Sequence, residues 1–513
     1  MTYKQILFIL CFLFFLYSFQ MYFQIMYYII FIFLFNLTFI QCQSSFCAQY
    51  YPNENLPSNQ QCECDDYIQN GTTYLSLKCS GHSYVPHFLP NIFYQSIELE
   101  FCSQDLQVGD KTFADLNINT LRFRHCNLIG LNEESFSKIN HLEKFAIENS
   151  TINSLLTSNG NFQEIFYADS FRHLKSLTLK NVHYHQIHKH DKKLNLEYLL
   201  HQLPQIHRLE LMNIYLDNYR YENLTSPLGR HLTYLKLVNT RQTSLLPIEG
   251  LSSLERLILM YLPQIFRNQP LIRSIKNLKK LKYLDLTNNQ LKSIDGLQSK
   301  TIDQLDISSN TLEHIHEYTF EYVPKLRVLT LTGNPLESID KNAFCGIENF
   351  EKLHLNIPHA NHLLPIDNCL LLTHPNLDIK TDSHIKLTCN CQLVSIYQYK
   401  RDKSKEINRL LKPNQLCLVT NETLAHAKDS QQLNGHLHMP IHVYELENYL
   451  NCSTIPICQR PCQERKHPPT TLTPIKFHKT HIDVQRKATS YAPSNFTFFS
   501  FQIFSLLLAF LYL

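Results

Sequence analysis

An eleven-residue pattern constrains this chain more than any other feature of its sequence. The segment LKYLDLTNNQLKSI begins at Leu281, and close copies begin at Ile302 (IDQLDISSNTLEHI) and Leu326 (LRVLTLTGNPLESI). All three fit L-x-x-L-x-L-x-x-N-x-L, with isoleucine allowed at the first and sixth positions. Self-similarity of this kind predicts a stack of equivalent units rather than a set of independent globular domains.

Weaker copies extend the pattern toward both ends of the chain. Its fourth position, here called the rung residue, falls at Ile97, Leu121, Phe145, Leu177, Leu209, Leu235, Leu257, Leu284, Leu305, Leu329 and Leu353, with Leu377 as a fainter twelfth. Five of the eleven intervals between these positions are 24 residues, so the copies form one continuous repeat. In L-x-L the side chains alternate between two faces, and we expect the leucines to point inward. Parallel stacking of such strands buries a continuous apolar core.

Cysteines flank the repeat on both sides. Cys47, Cys62, Cys64 and Cys79 precede the first rung, and Cys389, Cys391, Cys417 and Cys452 follow the last. A repeat between two such segments resembles the extracellular leucine-rich repeat proteins with cysteine-rich flanks. The resemblance implies an α/β-type solenoid, a curved horseshoe with parallel β-strands on its concave face and disulfide caps at both ends. It also implies the pairings Cys47–Cys64, Cys62–Cys79, Cys389–Cys417 and Cys391–Cys452.

Six further cysteines outside the first 43 residues have their own placements. Cys345 and Cys369 occupy equivalent positions one repeat apart, which favours a bridge on the convex side. Cys458 and Cys462 are close enough in sequence to close a small loop. Cys102 and Cys126 fill the N position of the pattern. Their 24-residue offset permits a disulfide between neighbouring rungs, while the inward-facing position favours buried free thiols, which is the expectation adopted here.

The two ends of the chain are apolar, and Lys4 is the only charged residue in them. Residues 1–43 predict a secretory signal peptide, with Met21 and Met26 as alternative starts and an uncleaved anchor as the competing interpretation. Residues 44–90 form the predicted N-terminal cap, 91–388 about 11–12 repeats, and 389–462 the C-terminal cap. Residues 463–495 are a stalk rich in Pro, Thr, His and Lys. Residues 496–513 are typical of a GPI-attachment signal, with a short tail anchor as the alternative.

Two kinds of candidate modification or metal site occur. Sequons for N-glycosylation, which a secreted chain can use, lie at Asn70, Asn149, Asn223, Asn421 and Asn451. Four imidazoles that could ligate zinc or copper lie at His183, His185, His188 and His190. The chain has 26 histidines, so a solvated loop is the favoured interpretation of that cluster, and we expect no metal and no cofactor.

The sequence favours binding over catalysis. It has no GxSxG, HExxH, P-loop or dinucleotide-binding motif, and its net charge of +3 gives no indication of a nucleic-acid partner. Outward positions of the fifth to seventh rungs have the composition of interface hot spots. This set, the middle-rung patch, comprises Arg208, Glu210, Met212, Tyr234, Lys236, Val238, Arg256, Ile258, Met260 and Tyr261. A register error of one residue would turn the set inward.

We therefore expect a non-enzymatic protein on the extracellular face of the plasma membrane. It would reach the surface by the secretory pathway, remain attached through a lipid anchor or apolar tail, and recognise an extracellular or cell-surface protein through its concave face. Recognition or adhesion is the expected role. The alternative is a non-catalytic or structural subunit of a secreted complex.

Overall fold

The computed structural model describes Cys47 and most of residues 61–452. The larger gaps are residues 154–164, 185–193, 218–228, 241–249, 267–274, 356–369, 382–386 and 399–415, and several shorter stretches are also left out. The predicted signal peptide, stalk and apolar tail lie outside the described residues. The chain divides into two units at Cys462, and every described residue belongs to the first.

Short strands dominate the described residues. Those in the first part of the chain are β1 (Gln61–Gln69), β2 (Thr72–Ser80), β3 (Phe93–Glu100), β4 (Asp105–Gln107), β5 (Asn117–Ile118), β6 (Thr120–Arg124), β7 (Asn127–Ile129), β8 (Lys144–Asn153), β9 (Ser176–Tyr184), β10 (Leu194–Asn195), β11 (Arg208–Met212) and β12 (Leu216–Asp217). Those that follow are β13 (Tyr234–Val238), β14 (Arg256–Met260), β15 (Tyr283–Asp285), β16 (Gln304–Asp306), β17 (His314–Ile315), β18 (Val328–Thr330), β19 (Ser338–Ile339), β20 (Lys352–Leu355), β21 (Asp378–Thr381), β22 (Leu387–Thr388), β23 (Leu416–Leu418) and β24 (Pro440–His442).

Helices are few and short among the described residues. They are α1 (Leu196–Gln202), α2 (Pro263–Phe266), α3 (Asn421–Ala425), α4 (Ser430–Asn434) and α5 (Leu446–Tyr449). The start of α1 is capped by Asn195, whose side chain accepts a hydrogen bond from the backbone N–H of Tyr198 at 3.0 Å. Within the part of the chain that the structure describes, none of the helices has the length and apolar composition needed to cross a membrane.

One parallel ladder runs through the repeats and confirms the predicted solenoid. From β2 to β21, successive rung strands pair in parallel, and the rung residues from Ile97 to Leu353 face one another directly. Each of these eleven side chains is at most 1% exposed. The predicted twelfth rung is wrong by two residues, because Leu353 pairs with Ile379 rather than with Leu377. The N-terminal cap adds a rung of its own, since Leu77 of β2 faces Ile97.

The interior is filled by leucines, stacked phenylalanines and buried amides. The rings of Phe136, Phe145 and Phe171 pack edge to face in a triangle, with centroids 5.2–5.4 Å apart. Asn310 accepts hydrogen bonds from the N–H groups of neighbouring turns and donates to backbone carbonyls. Asn289 and Asn334, at the N of the pattern, bond in the same way. These buried amides satisfy backbone groups that the tight turns would leave unpaired.

Disulfides close both ends of the ladder. At the first end β1 pairs antiparallel with β2, and the bridges are Cys47–Cys64 and Cys62–Cys79. At the other end Cys389–Cys417 and Cys391–Cys452 tie α3 and α5 to the three-stranded sheet β22–β23–β24. These are the pairings that the resemblance implies. Thr423 secures the second cap further, because its hydroxyl donates to the carbonyl of Cys389 at 2.6 Å.

The expectation of free thiols at Cys102 and Cys126 is wrong. The two residues form a disulfide with a Cα–Cα distance of 4.9 Å. They hold equivalent positions in adjacent parallel rungs, which are spaced about 4.8 Å apart, and this spacing suits disulfide geometry. Cys345 is also disulfide-bonded. Its predicted partner Cys369 lies outside the described residues, as do Cys458 and Cys462, so these two bridges stay predictions.

Candidate interaction surface

The middle-rung patch forms one continuous surface. Its members lie on β11, β13 and β14 or directly after β14, and the register places Arg208 beside Tyr234 and Tyr234 beside Arg256. The leucines between them are fully buried: Leu209, Leu211, Leu235, Leu237, Leu257 and Leu259 are all 0% exposed. The one-residue register error is therefore excluded, and the set faces away from the core.

Not all members of the patch offer surface to a partner. Arg208, Arg256 and Tyr261 are exposed, and Tyr261 most clearly, at 52%. The outer face is here the face of the parallel sheet that points away from the core. On it, Val238 and Ile258 are only 7% and 8% exposed, because neighbouring strands cover them. Those two side chains therefore offer little contact area to a partner.

Arginines and tyrosines alternate across the strands in a stacked column. The guanidinium carbon of Arg208 lies 3.7 Å from the ring centroid of Tyr234, and that of Arg256 lies 5.9 Å from the same ring. Arg256 also lies 4.5 Å from the ring centroid of Tyr283, on the next strand. Such cation–π contacts are worth about 0.5–1 kcal/mol each at exposed sites. The pKa values of the Tyr234 and Tyr283 phenols are raised above 10.0, mainly because the two groups are partly buried.

Tyr283 belongs to this surface and is missing from the sequence prediction. Its position directly before rung residue Leu284 is equivalent to that of Tyr234 and Arg256. The signal was present in the sequence, but the predicted patch ended with the seventh rung. The Arg208–Tyr234–Arg256–Tyr283 column therefore spans four rungs rather than three.

Charges on the early rungs form a closed network. Arg124 lies within 3.2–3.7 Å of carboxylates on Glu98, Glu100 and Glu148. Arg122 contacts Glu98 at 3.5 Å and Glu148 at 3.8 Å, and Lys78 contacts Glu100 at 2.8 Å. Three basic and three acidic side chains thus neutralise one another, which makes this part of the outer face a poor site for a charged ligand.

The eighth and ninth rungs are acidic and polar. Asp285 accepts hydrogen bonds from the backbone N–H and hydroxyl of Thr287 at 2.9 and 2.6 Å. Asp306 accepts equivalent bonds from Ser308. Burial raises the pKa of Asp285 above 3.8, against the lowering effect of the Thr287 hydrogen bonds. Both carboxylates are thus already engaged by their own strands.

A column of left-handed residues follows the strands and was not predicted. The fourth residue after each of ten successive rung residues has a positive φ: Phe101, His125, Asn149, Asn181, Asn213, Asn239, Tyr261, Asn288, Ser309 and Gly333. Four asparagines in this column form an amide ladder, in which Asn239 donates to Asn213, Asn213 to Asn181, and Asn181 to Asn149. The ladder ends on His125, whose ring stacks on Phe101 at 4.8 Å.

The amide ladder bears on one of the predicted glycosylation sites. Asn149 accepts from Asn181 and contacts Nε2 of His125 at 3.4 Å through its own Nδ2, the atom that would carry a glycan. Asn421, at the start of α3, and Asn451 are exposed. Asn70 and Asn223 lie outside the described residues. Glycosylation at each of these predicted sites remains a prediction.

The histidine cluster is only partly within the described residues. His183 is exposed at the end of β9, and His185, His188 and His190 lie outside. Among the described residues, one group of metal-binding residue types comes close together: Cys62, Cys79 and His82. The two cysteines form a disulfide, so they offer no thiolate to a metal.

A cleft of about 650 Å³ lies next to the starts of the strands of the third to fifth rungs. Its lining includes Lys138, His141, Glu143, His173 and Lys175. Lys175 pairs with Glu143 across the rungs, and that hydrogen bond lowers the pKa of Glu143. Because Lys175 and Glu143 neutralise each other, the cleft lacks the exposed aromatic and arginine side chains that make the middle-rung patch the stronger candidate.

Two family models match the repeats. A leucine-rich repeat model matches residues 300–359, and a BspA-type leucine-rich repeat model matches residues 88–186. The chain is 34% identical to fibromodulin of Sus scrofa over 122 residues, which cover 24% of this chain and 81% of that protein. It is 26% identical to keratocan of Mus musculus over 168 residues, or 30% of this chain. The matched region spans 48% of that keratocan, about half its length.

Solved structures with similar folds were also found. The structure titled as a TLR13–ssRNA13 complex aligns with a TM-score of 0.43 at 19% identity, covering 62% of this chain and 48% of that one. The Leptospira interrogans leucine-rich repeat protein LIC12759 aligns with a TM-score of 0.40 at 20% identity, covering 60% of this chain and 77% of that one.

Proposed function

Because this chain belongs to the leucine-rich repeat proteins with cysteine-rich flanks, we propose that it is an extracellular, non-catalytic recognition protein. Its partner is a protein that binds the middle-rung patch on the outer face of the parallel sheet. Disulfides persist in oxidising compartments, and the paired cysteines of both caps support an extracellular location. Attachment to the cell surface by a lipid anchor, and a role in adhesion, are part of this proposal.

The observation that carries the proposal is the stacked column within the patch. Both guanidinium groups, of Arg208 and Arg256, contact the ring of Tyr234, and these contacts hold the three side chains in place. A surface of fixed aromatic and guanidinium groups loses little side-chain entropy when a partner binds. Exposed Tyr261 and half-buried Met212 and Met260 extend the surface with polarisable groups. Tyr and Arg of this kind are the residue types that dominate binding energy at interfaces.

Proximity labelling on intact cells that display the full chain tests the proposal and names the partner. We expect Tyr234→Ala and Tyr261→Ala each to weaken binding of that partner by at least about tenfold, or roughly 1.4 kcal/mol. Tyr322→Ala is the matched control, because Tyr322 is 43% exposed and lies in a turn outside the patch. Unchanged binding by both patch variants, with secretion intact, would refute the proposal.

The mode of attachment needs a separate experiment. If a lipid anchor holds the protein, a phosphatidylinositol-specific phospholipase C releases it from the cell surface. Full-length protein that accumulates in the medium without the enzyme would instead favour a subunit of a secreted complex.

A further inference from the structure

The outer face carries charge of different sign along the rungs. The early network, defined by Lys78, Arg122, Arg124, Glu98, Glu100 and Glu148, is balanced. The middle-rung patch has three basic side chains and one acidic one, a formal net charge of +2. The next two rungs carry Asp285 and Asp306 at outward positions and no basic residue there. Among the rungs from β2 to β16, the middle-rung patch thus carries the largest unbalanced positive charge, and Lys180 of the fourth rung lies next to it, in register with Met212. Lys352 and Lys380 also lie at outward positions, on the far side of the acidic rungs.

Arg256 and Lys236 hold most of that unbalanced charge. Arg208 is partly neutralised, since its Nε donates to Glu210 at 2.8 Å. Neither Arg256 nor Lys236 takes part in an ion pair within 4.0 Å in the part of the chain that the structure describes, although the charge of Lys236 acts on Asp285 of the eighth rung. Lys236 lies directly between Glu210 and Ile258 in the parallel register, and Arg256 is on the same strand as Ile258.

The stacked position of Arg256 favours a pair of hydrogen bonds to one carboxylate. Its guanidinium is 5.9 Å from the ring centroid of Tyr234 and 4.5 Å from that of Tyr283, so aromatic rings lie on neighbouring rungs at both sides. Stacked guanidinium groups keep their N–H donors at the edge of the plane, where two parallel bonds to a carboxylate can form. A flexible lysine at this position would lack both the planar fork and the ring contact.

Apolar side chains lie beside these cations. The outward column that ends the same strands contains Met212, Val238 and Met260 in direct register. Met212 and Met260 are half-buried, and Val238 is 7% exposed. A partner side chain that reaches this column would bury apolar surface next to the charged contact.

We propose, on the basis of the proposed function, that the partner segment on this patch is acidic, with a carboxylate that pairs with Arg256 and Lys236 and an apolar side chain against the Met212–Val238–Met260 column. The carboxylates of Asp285 and Asp306 repel such a segment, so it does not extend from the middle rungs onto the eighth and ninth rungs. On the other side Lys180 of the fourth rung adds positive charge beside Met212, and the balanced early network beyond it adds no net attraction.

Short synthetic peptides test the inference without the natural partner. The probes are a twelve-residue peptide of alternating Glu and Leu, its Gln–Leu counterpart and its Lys–Leu counterpart, with binding to the full chain followed by fluorescence anisotropy. We expect the Glu–Leu peptide to bind at least about tenfold more tightly than either counterpart. The preference should weaken between low and high salt, since exposed charges are screened.

Variants of the full chain locate the contact. Arg256→Gln should lower the affinity for the Glu–Leu peptide about tenfold, and Arg256→Lys should retain part of the affinity because it keeps the charge. Arg172→Gln is the matched control, since Arg172 is exposed and pairs only with Asp169 at 3.1 Å in a 3₁₀ helix outside the patch. Circular dichroism and secretion level establish that each variant folds.

The outcomes separate this inference from the proposed function. Equal binding of the three peptides, or an unchanged affinity in Arg256→Gln, overturns the acidic partner. If Tyr234→Ala still weakens binding of the natural partner in that case, the patch stands and only its charge preference is wrong. If neither the natural partner nor the Glu–Leu peptide responds to any patch variant, both proposals fail.

Discussion

Nδ2 of Asn239 donates a hydrogen bond to Oδ1 of Asn213 at 2.9 Å, one rung away and 26 residues earlier in the chain. Both residues have a left-handed backbone, with φ of 50° and 51°. Most side chains are strained in this conformation, while asparagine visits it more readily than other residues with a side chain. Asparagine therefore meets two requirements at once here: the backbone bend after each strand and the contact between rungs.

Replacement of Asn213 by alanine should destabilise the protein more than replacement by glycine. Both changes remove the amide bonds to Asn181 and Asn239. Only alanine keeps a Cβ in the left-handed region, which costs about 1–2 kcal/mol. We expect a lower free energy of unfolding for Asn213→Ala in a denaturant titration, by about that amount relative to Asn213→Gly. Equal stability of the two variants would show that φ at this position relaxes freely.

The bridge between Cys102 and Cys126 can be tested chemically. Peptide mapping without reduction should recover the two cysteines in one linked fragment. Their joint replacement by serine should lower the free energy of unfolding by about 2–4 kcal/mol, the usual contribution of a native disulfide. Alkylation of either thiol in the denatured but unreduced protein would contradict the bridge. The single variant Cys102→Ser serves as a comparison, since it leaves one thiol free.

We expect glycan occupancy at Asn149 to be lower than at Asn421. Nδ2 of Asn149 takes part in the amide ladder, whereas Asn421 is exposed at the start of α3. Site-specific mass spectrometry of the secreted protein measures both occupancies. Thr151→Val removes the sequon while it leaves Asn149 in the ladder, and this variant should be secreted with unchanged mass. A large loss of mass in that variant would show that the glycan forms and displaces the contact with His125.

His354 should make the protein less stable in mild acid. Burial is the main cause that lowers the pKa of His354 below 6.5; Lys380 and Lys352 lower it further, and Asp378 and Asp306 oppose them. The folded state then binds a proton less readily than the unfolded chain, so stability is lost as pH falls below about 6.5. The loss between pH 7.5 and pH 5.5, from denaturant titrations, should be smaller in His354→Gln. An equal loss in the parent and in His354→Gln would contradict this expectation.

The apolar period of two was sufficient to predict the core. Leu209 and Leu211 are fully buried while Arg208 and Glu210 between them face outward, as alternation requires. The prediction went wrong where the pattern was weak: Leu377 fits the period of 24 residues, but Ile379 occupies the rung opposite Leu353. Leu377 is itself 1% exposed, so burial and apolar character alone could not separate the two choices.

The features that the sequence analysis missed depend on contacts between rungs rather than on residue type. Asparagine fills half of the left-handed column, but Phe, His, Tyr, Ser and Gly fill the other positions, so residue type alone marks only part of it. Its signal was the constant offset of four from each rung residue. The stacking of Arg256 on Tyr283 depends on the register of β14 and β15 across a 27-residue interval, which single-strand patterns do not contain.

The left-handed column also sets the unit by which this chain can gain or lose length. Deletion of residues 181–212 would place Asn213 where Asn181 now stands, with a matching φ and the same amide to offer Asn149. A deletion that did not remove one complete repeat would bring a residue that does not have a positive φ to the bend. The chain is therefore modular in whole rungs: excision of a complete repeat keeps the phase of the left-handed column, which a single inserted residue would break.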